Sequence, residues 1–290
     1  MKKTNKTIIL GITLALMSAF FYAFNFIYEK MFLTKVSGES ILFLMYFGAF
    51  AGLYTIHLFS KNLNKSNKNK ITKKEVPKVL IMILCELFAS LLIIEALKIV
   101  NAGLVSLLLV FEIVMTSIIA YLIFKEPIKN NDLISIFLII IGFIILNFNP
   151  NSIKEISVSS LLVIGACLFW GVENNITGLI SSKEPSLFTS VKCLAVSILY
   201  LIISFFHGTL DLSYPILMFY GFMSYGLGMI LYALSTKYLG ANRATLVFSF
   251  NPIFGVFLAL VIFKEQITIT FLISLIFMIS AIICLNKSST

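Results

Sequence analysis

Long apolar blocks alternate with short polar breaks along this chain, and neither the two-residue period of strands nor the apolar stripe of a surface helix organises the blocks. Ten blocks stand out, at roughly 8–29, 40–60, 78–98, 103–124, 132–148, 158–181, 187–207, 214–236, 242–263 and 270–286. Each has about the 17 to 25 residues that an α-helix needs to cross a bilayer. The pattern predicts an all-α integral membrane protein with ten transmembrane helices. Pro77, Pro127, Pro150, Pro185 and Pro215 fall in breaks or at block starts, where a missing N–H costs little. Pro252 lies inside a block and removes the bond to the Phe248 carbonyl, so a kink is expected in the ninth helix.

The chain also repeats itself. Leu122-Ile123-Phe124-Lys125-Glu126 returns as Val261-Ile262-Phe263-Lys264-Glu265, a shift of 139 residues, with Ala102 aligned to Ala241 and Lys98 to Lys237. Earlier in each half, Phe21-Tyr22-Ala23 answers Phe169-Trp170-Gly171 at a shift of 148. Residues 1–150 and 151–290 therefore read as two units of five helices. Five is odd, so the second unit enters the membrane from the opposite face. The expected architecture is two inverted five-helix repeats around a central cavity, with substrate held near the membrane midplane.

Composition agrees with the block pattern. The chain is 59% hydrophobic and 12% charged, with a mean hydropathy of +1.02, whereas soluble domains carry about 25% charged residues. The net charge of +9 raises nucleic acid as a partner, but the positions of the lysines argue for topology instead. Seven of them (Lys61, Lys65, Lys68, Lys70, Lys73, Lys74 and Lys78) share one break, and Lys2, Lys3 and Lys6 precede the first block. With the N-terminus inside, 17 Lys and Arg fall on the cytoplasmic side against 5 outside. That bias predicts a multi-pass plasma-membrane protein with both termini cytoplasmic. The basic start with its apolar run reads as a retained first span, because the run continues through Phe20-Phe21-Tyr22. The Asn/Lys-rich stretch 61–76 is expected to lack folded structure. Cys85, Cys167, Cys193 and Cys284 lie in apolar blocks without CxxC spacing and read as small hydrophobes, so no metal or cofactor is expected.

Two five-helix units, each opening on an aromatic-rich helix and each closing its fourth helix on an apolar-Lys-Glu corner, resemble an EamA-type member of the drug/metabolite transporter superfamily. The likeness covers nearly the whole chain. Asn251-Pro252 in the second fourth helix also fits the family pattern; the first half has Glu112-Ile113 there and lacks the proline. The resemblance implies a ten-helix bundle with a central cavity and alternating access, and leaves the substrate open.

The acids inside the blocks carry the candidate chemistry. Glu86, Glu112 and Glu173 fall near the middles of the third, fourth and sixth blocks, where a charge costs about 2.5–3.5 kcal/mol even on lenient scales. Each must face a cavity, be paired or be protonated. The repeat aligns Glu112 with Asn251, Glu173 with Asn25 and Glu86 with Tyr225, so these six are expected around one cavity. Helical spacing adds Trp170, Glu173, Asn174 and Thr177 on one face of the sixth helix, and Ser18, Phe21, Tyr22, Asn25, Tyr28 and Glu29 on the first. Glu112 leads as a group that loads a proton or pairs with a cationic substrate. Trp170, Tyr22 and Tyr225 offer aromatic faces to such a cation. Lys192 is read as snorkelling near the cytoplasmic side, Glu95 as a surface or gate group, and Gly48 with Gly52 as a close-packing pair.

Three midplane carboxylates with no midplane arginine point to a secondary active transporter of cationic or zwitterionic metabolites or drugs, an exporter coupled to protons. The alternative is an uncoupled facilitator of neutral or aromatic amino-acid-like metabolites. With two histidines and no hydrolytic constellation, an enzyme is not expected. The expected partners are the bilayer, a small-molecule substrate and protons, with no nucleic acid and a monomer as default.

Overall fold

The computed structural model describes residues 5–63, 73–125, 130–147, 153–180, 185–239, 244, 247–265 and 268–287. Glu126, Arg243 and the middle of the lysine-rich stretch, 64–72, lie outside the described residues. The first half contains α1 (Asn5–Phe32), α2 (Gly38–Leu63), α3 (Val76–Ile99), α4 (Ala102–Leu108), α5 (Phe111–Phe124) and α6 (Asn130–Asn147). The second contains α7 (Ile153–Ile180), α8 (Pro185–Phe206), α9 (Ile216–Gly221), α10 (Leu227–Leu239), α11 (Asn251–Phe263) and α12 (Ile269–Lys287). A single π-helical turn, Phe222–Gly226, joins α9 to α10.

Among the described residues there is no strand. Lipid explains that economy, since a helix satisfies its own N–H and C=O groups where no water can. Seven helical runs are long and apolar enough to cross a membrane, and Leu133–Ile145, Asn251–Phe263 and Ile269–Cys284 form shorter apolar helices. Large apolar side chains such as Leu161, Phe206 and Ile269 stand exposed on the outside of the bundle, as a surface bathed in lipid requires. This is a multi-pass membrane protein.

The main helix pairs join the two halves: α1 packs on α10, α2 on α8, α3 on α7, α4 on α11 and α6 on α12. The α2 crossing depends on missing side chains. A Cβ on Gly48 would lie 1.9 Å from the Met218 carbonyl oxygen, and one on Gly221 would lie 2.0 Å from that of Met45. Gly52 likewise meets the Phe222 ring. The Gly48/Gly52 pair thus serves close contact within the chain, Gly48 against backbone and Gly52 against the Phe222 ring.

The repeated apolar-Lys-Glu corner has a local cause. Lys125 and Lys264 end α5 and α11 in the left-handed region, at φ 56° and 52°. Such a residue at the C-cap turns the chain out of a helix and lets it satisfy the last carbonyls; the Lys125 N–H reaches the Tyr121 carbonyl at 3.1 Å. Glu265 then accepts from the N–H groups of Ala102 and Gly103, both at 3.1 Å, and caps the start of α4.

The fourth helix of each half departs from expectation. No continuous kinked helix runs through Pro252; α11 starts at Asn251, with the proline in its first turn, where the missing N–H has no partner to lose. The first half breaks at the aligned place without a proline. α4 stops at Leu108, and the N–H groups of Glu112 and Ile113 bond three residues back, to Leu109 and Val110, at 2.9 and 3.2 Å. The break belongs to the fold, and Pro252 accommodates it.

Candidate functional site

The α4–α5 break sets Glu112 in the first turn of α5, where the N-terminal end of the helix dipole favours an acid. The Asn174 amide of α7 donates to Glu112 Oε1 at 2.7 Å. Glu112 has no ion-pair partner among the described residues. It faces a central cavity holding about 550 Å³ of atom-free space, mouth included. Tyr22, Glu86, Trp170, Glu173 and Lys192 share that wall. Thr177, Thr189, Tyr232 and Phe248 extend it toward the end of the bundle where α1 and α3 begin and α7 and α10 finish. A smaller recess of about 260 Å³ continues from Glu112 past Thr116 to Asn251 and Pro252.

Lys192 does not snorkel. It is 4% exposed and bonds Glu86 Oε2 at 2.9 Å and Glu173 Oε1, tying α8 to α3 and α7. The Tyr46 hydroxyl donates to the other oxygen of Glu86, whereas Glu173 Oε2 has no partner. Two of the three midplane acids thus share one ammonium, and Glu112 faces the cavity with only an amide. Among the described residues three carboxylates converge with a single cation, so the site holds more acid than base. This arrangement can accept an amine or a proton.

Away from the cavity mouth, the other half of the bundle is closed by rings. Tyr46 stacks on Tyr225 with centroids 4.3 Å apart, and Tyr28 on Tyr220 at 4.2 Å and 8°. Phe32 meets Tyr214 edge-on at 5.5 Å. Tyr225 donates to Glu29 Oε1 at 2.6 Å, and Glu29 is fully buried.

The structure therefore gathers six of the nine sequence candidates, Glu86, Glu112, Glu173, Trp170, Tyr22 and Asn174, at one cavity. Asn251 touches only its recess and donates its amide to the Ala19 carbonyl at 2.8 Å, fastening α11 to α1. Asn25 and Tyr225 are buried behind the wall. Tyr22 links the groups, with its ring edge-on to Trp170 at 6.4 Å and to Tyr225 at 5.7 Å. Glu29, expected on the polar stripe of the first helix, joins the polar centre with Lys192 and Tyr46, which were not among the cavity candidates. For Lys192 the signal was present, because two mid-span acids call for a cation; Tyr46 is one hydroxyl in an apolar block and carries no such signal. Glu95 is half-exposed and pairs with Lys98 at 2.6 Å, a surface ion pair.

A helical bundle with an apolar exterior and an acid-rich central cavity defines a membrane transporter. The chain belongs to the EamA-like transporter family, whose sequence model matches residues 9–148 and again 158–287. An uncharacterized transporter of Methanothermobacter thermautotrophicus is 27% identical over 71% of the chain, and the match spans 63% of that relative's length. An uncharacterized transporter of Clostridium kluyveri is 25% identical over 96% of the chain and 93% of its own length. A solved crystal structure of 12% sequence identity superposes with a TM-score of 0.69, covering 98% of both chains, and so shares the fold.

Proposed function

We propose that this chain is a ten-span secondary active transporter that exports small organic cations or zwitterions across the plasma membrane by alternating access, in exchange for protons. Its repeats, 1–150 and 151–290, lie inverted in the membrane with both termini cytoplasmic, and the three shorter apolar helices complete the ten spans. The pairing of each main helix with one from the other half supports the inverted arrangement. The lining residues gather toward the N-terminal end of α1, which supports an inward-facing state with the outer half sealed by Tyr28, Tyr220, Phe32 and Tyr214.

The observation that carries the reading is the convergence of Glu86, Glu112 and Glu173 with the one ammonium of Lys192. A substrate amine and a proton compete for Glu112, and mutual exclusion at one carboxylate is enough to exchange one for the other across the membrane. Trp170 and Tyr22 hold the apolar part of the substrate. A second reading, uncoupled facilitation, draws on the same Lys192, because its two bonds make Glu86 and Glu173 a structural clamp between three helices.

Trp170 is the sole tryptophan of the chain and lines the cavity, so its emission reports occupancy. Phenethylamine and L-phenylalanine are expected to change that emission more than a neutral amide of the same size. Phenethylamine binding should strengthen with pH in the native protein and lose that dependence, with about tenfold weaker affinity, in Glu112→Gln. Equal binding of the neutral amide, unaffected by Glu112→Gln, would contradict the reading.

A further inference from the structure

The outer half of the bundle contains polar atoms that nothing in this state satisfies. Glu29 Oε2 and both amide atoms of Asn25 are buried without a hydrogen-bond partner, and each of the two residues is 0% exposed. They lie one turn apart on the same face of α1, beyond Tyr22, which belongs to the cavity wall. Lys30, the adjacent cation, is occupied by the carbonyls of Leu97 and Val100. Buried polar groups in folded proteins are ordinarily paired, so orphans clustered on one face signal a missing partner.

The repeat indicates what that partner is. At the 148-residue shift Tyr22 aligns with Trp170, Asn25 with Glu173 and Glu29 with Thr177; at 139, Tyr225 aligns with Glu86. Trp170, Glu173, Thr177 and Glu86 all line the inner cavity. When two inverted repeats exchange conformations, residues aligned with one cavity come to line its counterpart on the opposite side. We propose that Asn25, Glu29 and Tyr225 form a second amine-binding station in the outer half, closed in this state and opened when the bundle faces outward. The inference rests on the inverted-repeat transporter reading above. Glu29 and Asn25 Oδ1 accept from an ammonium, Asn25 Nδ2 donates to a neighbouring carboxylate or carbonyl, and the Tyr22 and Tyr225 rings supply cation–π faces. The set fits a primary amine with an acceptor group close to it.

Cysteine labelling with membrane-impermeant methanethiosulfonates, one cationic and one anionic, tests the station in vesicles of either orientation. The native cysteines are buried or partly buried, and the native protein serves as blank. Asn25→Cys should react from the face opposite the N-terminus, about tenfold faster with the cationic reagent, and Glu29→Gln should abolish that preference. No reaction from that face, or a charge preference that survives Glu29→Gln, would overturn the proposal. If Asn25→Cys does not fold, Glu29→Cys takes its place: labelling from the outer face supports the station and its absence overturns it. Thr177→Cys, in the inner cavity, separates the two claims. Labelling of Thr177→Cys from the N-terminal face, without outer labelling of Asn25→Cys, removes only the second station. Failure of Thr177→Cys to label from either face removes the transporter reading and the station together.

Discussion

Replacing Lys192 with methionine keeps an unbranched apolar stem as far as Cε and removes the ammonium that Glu86 and Glu173 share. Lys192 is 4% and Glu86 1% exposed, so the acids recover little solvation from the cavity. Breaking a buried pair from one side costs about 3–5 kcal/mol. Protons set a ceiling on that loss. At pH 7 a carboxyl with an ordinary value of about 4.3 takes up a proton at a cost of about 3.7 kcal/mol, 2.7 pH units at 1.36 kcal/mol each. One proton shared between the two acids therefore puts the expected loss near 4 kcal/mol at pH 7. The sign of the pH dependence follows. The folded variant binds a proton that the unfolded chain does not, so its stability falls as pH rises. At pH 5.5 the deficit should shrink by about 2 kcal/mol. Unfolding in detergent, followed by Trp170 emission at both pH values, measures the difference from native. Lys192→Met combined with Glu86→Gln and Glu173→Gln should recover most of the loss. A Lys192→Met protein within about 1 kcal/mol of native at both pH values would refute the reasoning, because an ammonium that holds two buried carboxylates cannot be removed without cost.

Other substitutions test the architecture. Gly48→Val should prevent a monodisperse fold on size exclusion, since its Cβ would sit 1.9 Å from a backbone oxygen that cannot move aside, whereas Gly165→Ala meets only the Leu92 side chain at 3.1 Å and should be tolerated. Ile113→Pro falls at the α4–α5 break, aligned with Pro252, and should cost about 1–2 kcal/mol, against more than about 3 kcal/mol for Ile118→Pro inside α5; equal losses in thermal unfolding would mean that the first-half break is not built into the fold. Glu265→Ala strips two N–H partners from α4 and should cost about 1 kcal/mol. Burial holds the Glu265 carboxyl above the ordinary carboxylate range, against the opposing pull of the Gly103 and Ala102 N–H groups and Lys30. Its contribution to stability is therefore largest at low pH and declines as pH rises through that range, and the advantage of native over Glu265→Gln should shrink in the same direction.

Much of this molecule is legible in one dimension because the bilayer allows few alternatives. Apolar blocks must become helices, and a block that returns after 139 residues with the same Lys-Glu corner must end the same way; Lys125 and Lys264 do so with nearly identical dihedrals. Glu86, Glu112 and Glu173 were legible because each violates the apolar rule. What stayed hidden depends on distance across the bundle. Lys192 lies close enough to its helix end to pass for a snorkelling side chain, and only the approach of α3 and α7 shows its ammonium to be occupied. Asn251 aligns with Glu112, yet its amide is committed to the Ala19 carbonyl, a bond that no spacing rule foresees. The break at Leu109–Val110 has no proline or glycine to announce it.

Proton flux in proteoliposomes containing a pH-sensitive dye tests the central claim most directly. Phenethylamine applied to one side should draw protons from the other side toward it, in proportion to its own uptake, and Glu112→Gln should abolish that movement while leaving the protein folded. Amine uptake with no proton signal, or a proton signal that Glu112→Gln leaves intact, would contradict the account.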